Sequence, residues 1–298
     1  MSTETVSPRF ADIACWPTED AVMAMLEGQL LAVACVRSQI AKIAQSADAA
    51  AARLRTSSAR LVYAGAGTSG RIAVQDGVEL APTYGWSADR LVFALAGGLG
   101  AITATVEGAE DDGPAGSRAM RAANITGDDV VIGVAASGST PYTVAAIEAA
   151  NAAGALTIGI ASNLDSPLLR AAQHKIWIDS GTEVIAGSTR MKAGTAQKVV
   201  LNLLSTAIMI RLGRVYAGLM VDMRPSNDKL HQRAVRMVVQ LAGVEPEQAA
   251  ASLAVASGNL KLAVLHARGI ELAVAQALLL AGRDDLATAM RLLEEKRH

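Results

Sequence analysis

Three short Gly-rich stretches of this 298-residue chain bring hydroxyl side chains together: Gly67-Thr68-Ser69-Gly70, Ala136-Ser137-Gly138-Ser139-Thr140-Pro141 and Gly187-Ser188-Thr189-Arg190. Each follows an apolar run and opens a helix-like segment. A helix start offers unpaired backbone N–H groups and the positive end of the macrodipole, so each stretch suits an anion. Ser and Thr also cap helices for purely structural reasons, so one such loop alone says little. Three on one edge of a sheet point to a small, oxygen-rich, phosphorylated ligand. Carboxylates form the second group: Glu79 in "DGVELAPTYG", and Glu110 beside Glu107, Asp111 and Asp112 in "VEGAEDDGP". Spacing alone singles out no pair, because an exposed helix-end acid and a solvated acidic turn would look the same. The four histidines lack a metal-ligand arrangement, which leaves proton chemistry to such acids.

The first loop also fits the dinucleotide fingerprint G-x-G-x-x-G through Gly65, Gly67 and Gly70. That motif requires an acid at the end of the next strand to hold a ribose diol. Here the strand runs out as "LVFALAGGLG", and Asp89 lies before it, at the wrong edge. A Walker loop fails as well, for want of a lysine after the glycines. The dinucleotide reading is therefore set aside. Lys229, Arg233 and Arg236 share one face of a C-terminal helix, which reads as a solvated face or as one that reaches over a phosphate site.

The elements that must position these residues are visible as changes of texture. Residues 1–53 read as an N-terminal helical segment, with Thr18 as a cap. From residue 60, apolar runs at 60–64, 90–95, 129–135, 156–161 and 174–179 read as buried strands. Helix-like segments lie near 71–80, 100–107, 114–123, 141–153 and 166–172, with Pro82 halting the first of them. Strand–helix alternation predicts an α/β fold with a parallel sheet and helices on both faces. A long helix over 190–212 closes this domain, placed at 54–217. Residues 218–298 read as an all-helical region, with Ser226 or Asn227 as its first cap and turns at Gly243, Gly258, Gly269 and Gly282.

Composition narrows the function classes. Basic and acidic residues number 27 and 28, so no positive field argues for nucleic acid. Cys15 and Cys35 have neither metal nor redox spacing and read as reduced, partly buried thiols. "MSTETVSPRF" does not read as a signal peptide. The apolar stretch 199–210 is broken by Asn202, Ser205 and Thr206 and falls short of the roughly 20 residues a bilayer needs. A soluble cytoplasmic protein without membrane partners is the expectation.

The combination of a Thr-Ser-Gly loop and a Ser-Gly-x-Thr loop resembles the sugar isomerase (SIS) fold. More specifically, "YAGAGTSGRIA", "VELAPTYG", "TVEGAEDD", "AASGSTPY" and "EVIAGSTRMKAGTAQKVVLNLLSTAIMI" resemble the N-acetylmuramic acid 6-phosphate etherase family. The stretch "GSTRMKAGTAQK" is shared with animal glucokinase regulatory proteins, and the resemblance runs from about residue 3 to the end. It implies a cofactor-free lyase that splits the D-lactyl ether of N-acetylmuramic acid 6-phosphate, within cell-wall sugar recycling, and a homodimer. Carried over position by position, the acid/base glutamates fall on Glu79 and Glu110. Substrate contacts fall on Gly67, Thr68, Ser69, Ser137, Gly138, Ser139, Thr140 and Ser188. The chain departs from the family pattern at Ser139, where arginine is common, at "GVELAPTYG", and at Leu99. Two alternatives share the fold: a non-catalytic sugar-phosphate-binding regulator, usually about twice this length, and an aldose–ketose isomerase.

Overall fold

In the computed structural model, which describes residues 3–56, 58–225 and 227–295, the Val/Ile/Leu runs pair as predicted. Strands β1 (Leu61–Gly65), β2 (Leu91–Leu95), β3 (Val130–Val134), β4 (Leu156–Ala161) and β5 (His174–Trp177) form one sheet in the order β2-β1-β3-β4-β5. Every pairing is parallel, and Gly65 is level with Leu95 on one side and Val134 on the other. β1, β3 and β4 are buried along their whole length. A sheet covered on both faces needs unbroken apolar runs, which is why no polar alternation shows in the sequence.

Around the sheet run α1 (Thr18–Cys35), α2 (Ile40–Leu54), α3 (Gly67–Val78), α5 (Gly113–Ala122), α6 (Pro141–Ala152), α7 (Pro167–Ala171) and most of α8 (Lys192–Arg211), while the short α4 (Leu80–Tyr84) follows α3 in the chain. On one face Val62, Ala64 and Val131 pack with Met120 of α5, Ile147 of α6 and Leu168 of α7. On the other, Tyr63 stacks on Phe93 with ring centroids 5.9 Å apart. The Tyr63 hydroxyl donates to the buried Asp76 of α3 (2.9 Å), and Asn202 and Ser205 of α8 donate to the same carboxylate (2.6 and 3.3 Å). Three donors satisfy an acid that has been removed from water. Burial and the Asp76 charge together push the Tyr63 phenol well above its ordinary range.

Two compact units result, Met1–Val78 with Ala88–Ile208, and Glu79–Ser87 with Met209–His298. The first holds the sheet. The second contains a hairpin that the sequence pattern does not show, β6 (Val215–Tyr216) and β7 (Leu219–Met220). Its turn residues Ala217 and Gly218 both have positive φ (48° and 77°), as a two-residue hairpin turn requires, and two-residue strands leave no periodicity to read. Helices α9 (Asp228–Ala242), α10 (Pro246–Val255), α11 (Leu260–Ala267), α12 (Leu272–Ala281) and α13 (Leu286–Glu295) follow around one apolar core. Asn227 caps α9 through the N–H of Leu230, while Ser226 lies outside the described residues.

The segment 79–87 joins this second unit through Arg214. Its guanidinium donates to the Tyr84 carbonyl (2.8 Å) and lies 5.5 Å from the Trp86 ring centroid. Gly85, at φ +61°, lies so close to Asp222 that a Cβ would collide with the Asp222 carbonyl oxygen. The fully buried Lys261 pairs with Asp222 (2.6 Å) and Asp284 (3.0 Å).

Several boundaries differ from expectation for local reasons. Pro17, not Thr18, is the N-cap of α1. Pro82 lies inside α4 instead of halting a helix, because at its third position the missing N–H has no intrahelical partner to lose. Segment 100–107 is a 3-10 turn at Leu99–Ile102 followed by irregular backbone, as Gly100, Thr103 and Thr105 favour. Cys15 is exposed instead of partly buried. By length and hydropathy two helical stretches could cross a membrane, Thr18–Leu54 and Lys192–Arg211, and α8 is about half buried within the fold.

At the amino ends of β1 and β3, the buried Asp129 accepts from the Arg60 backbone N–H (3.0 Å), Arg60 Nε (3.1 Å), Arg60 Nη2 (2.7 Å) and the Thr126 N–H (2.9 Å). Burial works to raise the Asp129 pKa, but the bonds from Arg60 and Thr126 outweigh it and hold the carboxyl below its ordinary value. A depressed folded-state pKa contributes stability above the unfolded value near ~3.9, lost as pH falls through the folded value. Asp129→Asn is therefore expected to cost about 1.5–3 kcal/mol at pH 7 in chemical denaturation. The gap to the parent should close as the pH is lowered below about 4. A gap independent of pH would contradict this account.

Candidate active site

The strand order turns back between β1 and β3, with α3 leaving on one face and α6 on the other. In open parallel sheets, ligands bind beyond the strand carboxyl ends at such a reversal. The first two hydroxyl loops leave from these strands. α3 begins at Gly67, four residues before the predicted start, because Gly65 and Gly70 allow it to leave at once. A Cβ on Gly65 would come 2.9 Å from Gly70 Cα, and one on Gly70 would strike Leu95 Cδ1. Thr68 is half-buried and Ser69 buried at the head of this helix.

In the β3 loop, Ser137 Oγ accepts from the Ser139 N–H (3.2 Å) and hydroxyl (3.1 Å). Asn163 donates to the Ser137 carbonyl (2.9 Å), and the Leu168 N–H donates to the Gly138 carbonyl (2.9 Å). The loop's shape is thus set from the β4 side. Thr140 is the N-cap of α6 but makes no side-chain capping bond, so capping does not account for its hydroxyl.

The third loop corrects an expectation. Its helix does not start at Arg190 with open N–H groups. The Glu183 side chain, fully buried, accepts from the Lys192 and Ala193 N–H groups (both 2.9 Å), so the protein itself fills the start of α8. Ser188 remains half-buried in the turn before it, its N–H donating to the Ile185 carbonyl (3.0 Å). This turn lies beside the first loop: the position of a Cβ on Gly194 is 3.2 Å from the Thr189 carbonyl oxygen and 3.6 Å from Thr68 Cγ2.

The β2 loop completes the edge. Arg71, on α3, donates from Nε to the Ala101 carbonyl (2.8 Å) and from Nη2 to the Ala104 carbonyl (3.4 Å). The Tyr142 N–H at the start of α6 donates to the Glu110 carbonyl (3.0 Å), tying the acidic turn to the β3 loop. Asp112 caps α5 through the Ala115 N–H (2.8 Å) and pairs with Arg118 (3.1 Å). A cavity of about 310 Å³ lies here, lined by Gly67, Arg71, Thr105, Glu107, Glu110 and neighbouring small residues. Of the acidic run, Asp112 is accounted for by structure, whereas Glu107 and Glu110 face a ligand-sized space.

Glu79 lies in the other unit, exposed, at the N-cap position of α4 and without a side-chain capping bond. Lys229, His231, Arg233 and Arg236 are all exposed. Arg71 was not singled out in the sequence, where it reads as an ordinary helix residue. Its one signal is the i, i+3 spacing from Thr68, which puts both on the same face of α3.

Comparison with known proteins places this arrangement. The Glucokinase regulatory protein N-terminal SIS domain matches residues 40–151, and the SIS domain matches residues 108–207. A Deinococcus radiodurans N-acetylmuramic acid 6-phosphate etherase is 47% identical over 88% of this chain and 86% of its own length. The chain belongs to the N-acetylmuramic acid 6-phosphate etherase family. Etherases from Streptomyces avermitilis (43% identical, 99% of this chain and 90% of theirs) and Salmonella typhimurium (42%, 97% and 98%) match across both compact units. The resemblance of the etherase family to this chain therefore takes in the C-terminal helices as well as the SIS sheet.

Gly70→Ala tests the geometry of the loop. The added methyl must push α3 off β1 or displace Leu95, an overpacking that typically costs about 1–3 kcal/mol. The expected result is a lower thermal midpoint and weaker sugar-phosphate binding; unchanged values for both would show that the close approach is dispensable.

Proposed function

We propose that this chain is a lyase that cleaves the D-lactyl ether at C3 of N-acetylmuramic acid 6-phosphate, yielding N-acetylglucosamine 6-phosphate and D-lactate in cell-wall sugar recycling. The observation that carries this reading is identity of 42–47% to etherases over 88–99% of the chain. The cavity with Glu110 on the sheet's carboxyl edge supports it.

Each chemical step asks for a group of the kind found here. Opening of the sugar ring exposes an aldehyde that acidifies the C2 proton. A base removes that proton, the C3–O bond breaks, and an acid protonates the departing lactyl oxygen, leaving an α,β-unsaturated aldehyde. Water then adds at C3. In this reading Glu79 protonates the ether oxygen and Glu110 takes the second proton-transfer role. Thr68, Ser69 and the 137–140 loop hold the phosphate and sugar, with Ser188 along the same edge. Fixing the phosphate far from C2 and C3 orients the reacting bonds, so these hydroxyls serve rate as well as affinity. As written, the steps need no cofactor.

Glu79 and Glu110 are both exposed in a single chain, whereas an acid working near neutral pH benefits from a drier setting. The reading therefore includes a homodimer. α1 buries only Ala24, Gly28 and Ala32 and leaves Val22 (53%), Leu26 (52%), Leu30 (63%) and Leu31 (61%) exposed, an apolar face that a second copy would cover. A cytoplasmic location fits a phosphorylated sugar substrate.

Incubation of the purified protein with N-acetylmuramic acid 6-phosphate is expected to release D-lactate. Binding without release would replace the enzyme by a regulator. Glu79→Gln and Glu110→Gln should each lower kcat by about 10²–10⁴-fold, and turnover within a few-fold of the parent would remove those roles. Light scattering should give a dimer that Leu30→Glu with Leu31→Glu dissociates; a monomeric parent would overturn the assembly.

A further inference from the structure

We infer that Arg71 is a specificity-determining residue that binds the carboxylate of the lactyl group; this rests on the etherase reading. The substrate carries two anions, a phosphate and a carboxylate, and they demand different partners. The loops at 67–70 and 136–141 contain no charged side chain, and they offer hydroxyls and helix-start N–H groups, a setting suited to phosphate. The cavity next to them is lined by two carboxylates, Glu107 and Glu110, which repel any anion placed there without a cation. Among the described residues, Arg71 is the one cationic residue in its lining.

The hydrogen bonds of Arg71 leave it able to act. Nε and Nη2 are engaged by the Ala101 and Ala104 carbonyls, and these bonds orient the guanidinium plane. Among the described residues it forms no salt bridge, although acids line the same cavity. Two carbonyls satisfy only part of a five-donor fork, and the remaining N–H groups match a carboxylate. Thr68 and Arg71 lie on the same face of α3, one turn apart. A phosphate at Thr68 and a carboxylate at Arg71 would then be held from a single helix, with the sugar between them. The same guanidinium also holds the 99–104 backbone, so carboxylate binding would lock the loop that leads to Glu110.

The test separates the two anions. N-acetylglucosamine 6-phosphate keeps the phosphate and lacks the lactyl group. Arg71→Met is expected to raise KM for N-acetylmuramic acid 6-phosphate about 10- to 100-fold, the range for a lost hydrogen bond to a charged group. Its Kd for N-acetylglucosamine 6-phosphate, by calorimetry, should stay within threefold of the parent. An equal loss of affinity for both sugars would assign Arg71 to the phosphate or to loop support, and an unchanged KM would remove it from binding; either overturns the inference. Should Arg71→Met fail to fold, Arg71→Lys keeps the charge without the planar fork, and the same selective rise in KM is expected, with equal effects on both sugars again overturning it. A parent that releases no D-lactate refutes the etherase reading itself, a result distinct from an active parent with an unselective variant.

Discussion

Gly65 at the end of β1 and Gly70 in the first turn of α3 meet backbone to backbone, with the Val134 carbonyl of β3 alongside. This contact sets where α3 leaves the sheet, and so where every group on its first turns points. Thr68 and Ser69 reach the strand ends because the helix starts at Gly67. Arg71 reaches the 99–104 loop for the same reason and holds it over the cavity. Gly194 of α8 can approach Thr68 only while that first turn stays in place. The glycines, which match a dinucleotide fingerprint, thus serve a close crossing of helix and strand, a requirement shared by unrelated phosphate sites.

The carboxylates divide by environment. Asp76, Asp129 and Glu183 are buried, and each accepts at least two hydrogen bonds from elements it ties together. Desolvating an acid costs several kcal/mol unless donors compensate, so these three are committed to structure. Glu79, Glu107 and Glu110 are exposed, and no ion pair binds their side chains among the described residues.

Much of the architecture was legible because its signals are local. Buried parallel strands require unbroken apolar runs, and all five were placed within a few residues. Turn glycines marked the C-terminal helices: Gly243, Gly258 and Gly269 have positive φ, and Gly282 follows α12 directly. Local preference misleads where a distant partner overrides it. Segment 100–107 reads as helix-like, yet Gly100 and the grip of Arg71 keep it irregular. The start of α8 moved to Lys192 because Glu183, nine residues earlier, takes its first N–H groups.

The sequence alone determined the parallel sheet, the loops that carry hydroxyls at its edge and, through an extended match of motifs, the family. These depend on residue type and spacing, which a chain displays without folding. Tertiary structure alone decided that Arg71 lines the cavity, that Glu183 fills one helix start, and that the segment bearing Glu79 packs against Arg214 and Asp222 beside the β6–β7 hairpin. Each depends on which distant segments meet. Such pairings are selected by the packing of the whole chain and leave no periodicity in any one stretch of it.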